Sequence, residues 1–111
     1  MDINNVTIIG RLTRDPELKY TQNGSPVVNF SIAVNGFKED VSFLNVQAWS
    51  KVAESVGKYC KKGHRVCVSG RLNQKTWTDK DNNQKSDVEI VANTVQFLES
   101  KKNAEQEEEP F

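Results

Sequence analysis

The chain has 111 residues, of which 36% are hydrophobic and 27% charged, enough for one domain with one core and too few for two, because small domains bury only a marginal share of their surface. No apolar run approaches the length of a membrane span, and Met1-Asp2-Ile3-Asn4-Asn5 begins neither a secretory leader nor a transit peptide, so a cytoplasmic product is expected. The formal net charge of zero hides an asymmetry: residues 1–98 hold 13 Lys and Arg against 10 Asp and Glu, net +3, while residues 103–111 hold Glu105, Glu107, Glu108 and Glu109 and no base, an acidic tail on a mildly basic body.

In chain order, Val6, Ile8, Gly10 and Leu12 alternate with Thr7, Ile9 and Arg11, the period of a strand, with the glycine marking a bulge or bend. Asp15-Pro16 and Asn23-Gly24 are turn dipeptides, which makes Leu18-Lys19-Tyr20 an extended hairpin arm between them. Val28, Phe30, Ile32 and Val34 form a second alternating strand. A loop around Phe37-Lys38-Glu39-Asp40 leads to a third, Val41 to Trp49.

A helix of about three turns follows. Ser50 is its expected cap, Val52, Ala53, Val56, Tyr59 and Cys60 its apolar face, Lys58, Lys61 and Lys62 its favourable C-terminal charges, and Gly63 its left-handed stop. Val66, Val68, Gly70 and Leu72 alternate as a fourth strand. A polar hairpin with its tip at Asp79-Lys80-Asp81-Asn82-Asn83 then returns as a fifth, Val88 to Phe97, whose alternation slips near Val91 as at a bulge. Three strands, one helix and two strands is the order of an OB-fold, a five-stranded Greek-key β-barrel with its helix between strands three and four. The domain is expected over residues 1–98, with residues 99–111 a disordered tail that has little to bury.

In the third strand Leu44, Val46 and Ala48 point one way, so Phe43, Asn45, Gln47 and Trp49 point the other. The small aliphatic set suits a barrel interior, which leaves two aromatics and two amides outside. That face is costly for solubility and well suited to stacking bases. Phe37 and Trp77 add aromatics in loop and hairpin, and Lys19, Lys38, Lys51, Lys62, Arg65, Arg71 and Lys75 are candidates to neutralise phosphates. Phe30, Tyr59 and Phe97 sit on patterned apolar faces and read as core or interface.

No catalytic arrangement competes. His64 is the sole histidine, the glycines are scattered without a phosphate-loop pattern, and Asp79 and Asp81 lack the later ligands of a calcium loop. Cys60 and Cys67 are too few and too widely spaced for a zinc or redox motif and read as reduced and partly buried. No metal, cofactor or small-molecule substrate is implied.

Asn5-Val6-Thr7-Ile8-Ile9-Gly10-Arg11-Leu12, Asp15-Pro16-Glu17, Asn23-Gly24, Val28-Asn29-Phe30, Ala53-Glu54, Tyr59-Cys60-Lys61-Lys62-Gly63, Ser69-Gly70-Arg71-Leu72 and Trp77-Thr78-Asp79 follow one another in an order that, with the terminal Pro110-Phe111, resembles the bacterial single-stranded DNA-binding proteins. The resemblance spans nearly the whole chain. It implies a homotetramer wrapped by single-stranded DNA, with first-strand contacts building the dimer. It also implies a docking tail, Glu107-Glu108-Glu109-Pro110-Phe111, for replication and repair enzymes, in which Phe111 is the buried anchor.

Three departures stand out. Phe37 and Phe43 lie where the family commonly has tryptophan, and Trp49 where it has phenylalanine. The tail lacks the usual aliphatic residue before Pro110. The long Gly- and Gln-rich linker is almost absent, which shortens the tail's reach. Two rival readings remain open from residues alone: an RNA-directed or primosome-type OB-fold, and an interaction hub whose exposed aromatics serve subunit contacts.

Overall fold

A computed structural model describes residues 2–99. The elements are β1 (Val6–Leu12), β2 (Glu17–Tyr20), β3 (Pro26–Asn35), β4 (Val41–Trp49), α1 (Ser50–Tyr59), β5 (Arg65–Thr78) and β6 (Gln84–Glu99). The sheet order is β1-β5-β6-β4-β3-β2, and β1 also pairs with β3, so the six-stranded sheet closes on itself. This is the expected OB-fold, with the hairpin arm paired to β3 as a short additional strand. β6 runs one residue into the segment read as tail, and Glu107, Glu108, Glu109, Pro110 and Phe111 lie outside the described residues.

Closure depends on β1 changing partners. Its residues Val6 to Arg11 pair with β5, and Arg11 and Leu12 with β3. At that crossing a Cβ on Gly10 would lie 2.8 Å from the carbonyl oxygen of Ala33, so the glycine permits close approach of two backbones. No register shift accompanies it.

The inward residues are those the alternation assigns. Val28, Phe30 and Ile32 of β3, Val46 and Ala48 of β4, Val66 and Val68 of β5, and Ile90 and Ala92 of β6 are buried, joined by Leu12 and by Ala53 and Val56 of α1. The helix packs against β2, β3, β4 and β6 and adds Ala53 and Val56 to the core. Each large aliphatic side chain so buried contributes roughly 1.5–3 kcal/mol. Cys60 is buried at the helix end and Cys67 partly so, both as free thiols, and burial pushes the Cys60 thiol up to about 11.

Several local expectations are corrected. Ser50 does not cap the helix: the cap position falls on Trp49, without a side-chain capping bond, and Ser50 is the first helical residue, at φ +57°. β4 continues in extended form through Trp49, so the whole change of direction falls on the next residue. Gly63 does not stop the helix, because Cys60 is already extended at the C-cap. It serves instead, at φ +89°, in the turn closed by His64 N–H donating to the Lys61 carbonyl at 3.0 Å.

The slip in β6 lies at Asn93, since Ser69 and Gly70 pair with Thr94 and Ala92, and a second irregularity falls between Arg65 and Val66. At the first, a Cβ on Gly70 would collide with the Val91 carbonyl, leaving glycine as the residue that fits. Leu72 and the pair Tyr59 and Phe97 are exposed, so the latter two are not core. Their rings lie 6.0 Å apart against each other.

Candidate nucleic-acid interface

Residues directly opposed in a ladder share a face of the sheet, so the registers lay out the outward surface row by row. Lys19, Val27 and Trp49 form one row. Glu17, Asn29, Gln47, Val91 and Arg71 form the next, running from β2 across β3, β4 and β6 to β5. Ser31 stands beside Asn45, and Arg65, Arg11, Ala33 and Phe43 make a further row. Trp49, Phe43, Lys19, Arg65 and Arg71, all singled out in the sequence, therefore share the barrel's outer face.

The same face continues along the β5–β6 hairpin. Beyond Arg71 its outward pairs are Asn73 with Glu89, Lys75 with Asp87 and Trp77 with Lys85. This puts Trp77, in the hairpin as expected, on the same side of the sheet as Trp49. From Arg71 to Thr78 every residue of β5 is exposed.

The rings present wide surfaces. Phe37 is 80% exposed, Phe43 68%, Trp77 49% and Trp49 41%. Phe37 lies in the β3–β4 turn, where Gly36 N–H donates to the Asp40 carbonyl at 2.8 Å and the Lys38 ammonium sits 5.6 Å from the ring centroid. Lys51, in the first turn of α1, and Lys62, in the turn after it, lie off the sheet strands. The backbone N–H of Lys62 donates to the Asp15 carboxylate at 2.8 Å, tying that turn to the β1–β2 connection.

The polar residues between the rings are organised. The Trp49 indole N–H donates to Gln47 Oε1 at 2.9 Å, and Gln47 Nε2 donates to Asn29 Oδ1 at 3.4 Å. A groove beside them is lined by Arg14, Asn29, Asn45, Lys75, Asp87 and Glu89, among others. Glu89 is the one buried charged residue among those described. Its carboxylate meets the Lys75 ammonium at 3.1 Å and accepts a long bond from Asn73 at 3.5 Å. Lys75 is thus tied to the hairpin's root. Lys19 to Glu17 at 3.8 Å and Lys85 to Asp79 at 3.9 Å are looser pairs, of the exposed kind that contributes about 1 kcal/mol at most.

Arg14, Asn29, Lys85 and Glu89 are the site residues that pattern reading missed. Asn29 and Lys85 become visible only through register, as partners of Gln47 and Trp77. Glu89 interrupts no alternation and carries the wrong charge for a search aimed at phosphate.

A closed barrel with large rings facing outward, amides between them and cations around them belongs to the OB-fold binding modules whose working surface is a stacking platform. Residues 3–98 match the single-strand binding protein family, and the chain belongs to that family. It is 43% identical over 120 residues to "Single-stranded DNA-binding protein 2" of Chlorobaculum tepidum, covering 99% of this chain and 81% of that one. It is 42% identical over 109 residues to "Single-stranded DNA-binding protein 1" of Clostridium acetobutylicum, covering 92% of this chain and 99% of the relative. The "Single-stranded DNA-binding protein" of Oceanobacillus iheyensis is 43% identical over 106 residues, which take in 65% of that longer chain. These are binding proteins, and the chain is one of them rather than an enzyme.

Proposed function

We propose that this chain binds single-stranded DNA with little sequence preference and protects it during replication, recombination and repair. The observation that carries the reading is the shared outward face of Phe43, Trp49 and Trp77, with Phe37 in the adjoining turn. Each ring stacks a base for about 1–3 kcal/mol, and every base has a π-face, so the contact tolerates any sequence. Lys19, Arg65, Arg71 and Lys85 on that face, with Lys38 in the adjoining turn and Lys51 and Lys62 off the strands, neutralise phosphates and release counterions. Lys75 serves chiefly as the counterion of Glu89.

Family membership supports a homotetramer as the working form. The acidic run ending in Pro110-Phe111 supports a tail that recruits replication and repair enzymes, attracted to a basic partner surface and anchored by its terminal ring. The setting proposed is the cytoplasm, at the nucleoid.

Both tryptophans lie on the proposed platform, so intrinsic fluorescence tests it. Titration with oligo-dT is expected to quench strongly and duplex DNA to quench little. The logarithm of the affinity is expected to fall linearly with that of salt, by about 0.7 per phosphate neutralised. Equal-length RNA competing as well as DNA would transfer the reading to RNA. Silence to every nucleic acid, in fluorescence and in a separate binding assay, would leave the interaction-hub reading.

A further inference from the structure

Trp49 differs from the other platform rings in having its only polar atom already engaged. Its N–H donates to Gln47 Oε1 at 2.9 Å, two residues back on the same face of β4. An amide side chain can present either end, and here Gln47 Nε2 also donates a long bond to Asn29 Oδ1 at 3.4 Å, which favours the orientation that turns Oε1 to the indole. The two backbones bearing this relay are themselves held, because Gln47 sits between Asn29 of β3 and Val91 of β6 in the ladder. Trp77 has no comparable support: both strands around it have left the barrel, and its opposed residue is Lys85.

We infer that Gln47 is a positioning residue for DNA binding, which pins the Trp49 ring in its stacking orientation and keeps the indole N–H from reading base edges. The inference rests on the single-stranded DNA reading above. Pinning acts through entropy. A ring held in one rotamer before DNA arrives loses less freedom on stacking, and the immobilisation of one such side chain ordinarily weakens binding by about three- to tenfold. Occupying the N–H acts on selectivity. A free indole donor would favour bases that offer a well-placed acceptor, whereas an engaged one leaves only the π-face, which all bases satisfy alike. Asn29 holds the amide's orientation and is the relay's outer member.

The test uses the full chain carrying Trp77→Phe, so that Trp49 is the sole tryptophan. Without DNA, time-resolved fluorescence anisotropy is expected to show Trp49 moving with the barrel, and Gln47→Met, which keeps the volume and removes the acceptor, to add a fast local component. With oligo-dT, Gln47→Met is expected to weaken binding about three- to tenfold. The same substitution made together with Trp49→Phe is expected to change affinity less than about twofold, since phenylalanine has no N–H to hold. The thermal midpoint reports whether the variants fold.

An unchanged anisotropy decay in Gln47→Met overturns the pinning. A loss of affinity on Gln47→Met that is equally large with and without the Trp49→Phe substitution overturns the role in binding. A parent chain that binds no oligo-dT overturns the reading on which the inference rests, and the DNA-free decay still decides whether the ring is pinned.

Discussion

β5 and β6 build two unlike regions. From Val66 to Gly70, β5 buries every second residue against the core, whereas from Arg71 to Thr78 it buries none. The lower half is held by side-chain packing and by neighbours on both sides, β1 and β6. The upper half keeps its ladder with β6 and is tied to the barrel at Leu72 by Asn4, whose Nδ2 donates to the Leu72 carbonyl and whose Oδ1 accepts the Leu72 N–H, both at 2.9 Å; farther out it has the Lys75–Glu89 pair and a tip in which the Asp79 carboxylate accepts the N–H groups of Asp81 and Asn83 at 2.9 and 2.8 Å. The division separates the work: the barrel supplies stability, and the arm displays Trp77 and its cations without contributing a residue of its β5 half to the core.

If the division holds, substitutions in the barrel core and at the arm's outer end have opposite signatures, with the root between them sensitive in stability. Phe30→Ala in the barrel is expected to cost about 3–5 kcal/mol of stability, read by urea unfolding, while the fraction still folded keeps its affinity for oligo-dT. A similar loss of affinity per folded molecule would erase the boundary. Lys75→Met, at the root, is expected to cost about 2 kcal/mol, because it strips a buried carboxylate of its partner, and the double variant with Glu89→Leu to recover most of that. A Lys75→Met chain of parental stability would show that the pair does not hold the arm.

Trp77→Ala, on the arm itself, is expected to move the unfolding free energy by less than about 0.5 kcal/mol. Its affinity for single strands should fall by about 1–3 kcal/mol, with the oligomer intact by sedimentation. Loss of the oligomer with binding merely following it would instead make Trp77 an assembly residue.

The sequence carried the barrel well because its signals are local. Val28, Phe30 and Ile32 alternate cleanly, and the face assignment of Phe43, Asn45, Gln47 and Trp49 needed only a period of two. What it did not carry depends on partners distant in the chain. That Asn29 meets Gln47, or that Lys85 stands opposite Trp77, follows from registers that no single strand encodes. Ser50 misled because its type suits a cap while the strand before it runs one residue too far to leave the cap position free. Of the two places read for Tyr59 and Phe97, core or interface, the core is excluded, because an apolar side chain on a patterned face can end at the rim, where the pattern continues and the core does not. Alternation shows a slip near Val91, while only the partner strand places it at Asn93.

The exchange of partners by β1 also governs how the chain reaches this state. Its first residues pair with β5 across separations such as Val6 to Gly70 and Ile8 to Val68, whereas β3 and β4 meet across a short turn. Closing the β3–β4 hairpin, which carries Phe43, Gln47 and Trp49, therefore costs less chain entropy than docking β1 on β5. Folding of such a topology proceeds in about milliseconds to seconds. Until β1 docks, the edges of β3 and β5 that it occupies are open to other strands, so the close approach that Gly10 permits also lets one strand cover two edges of the sheet.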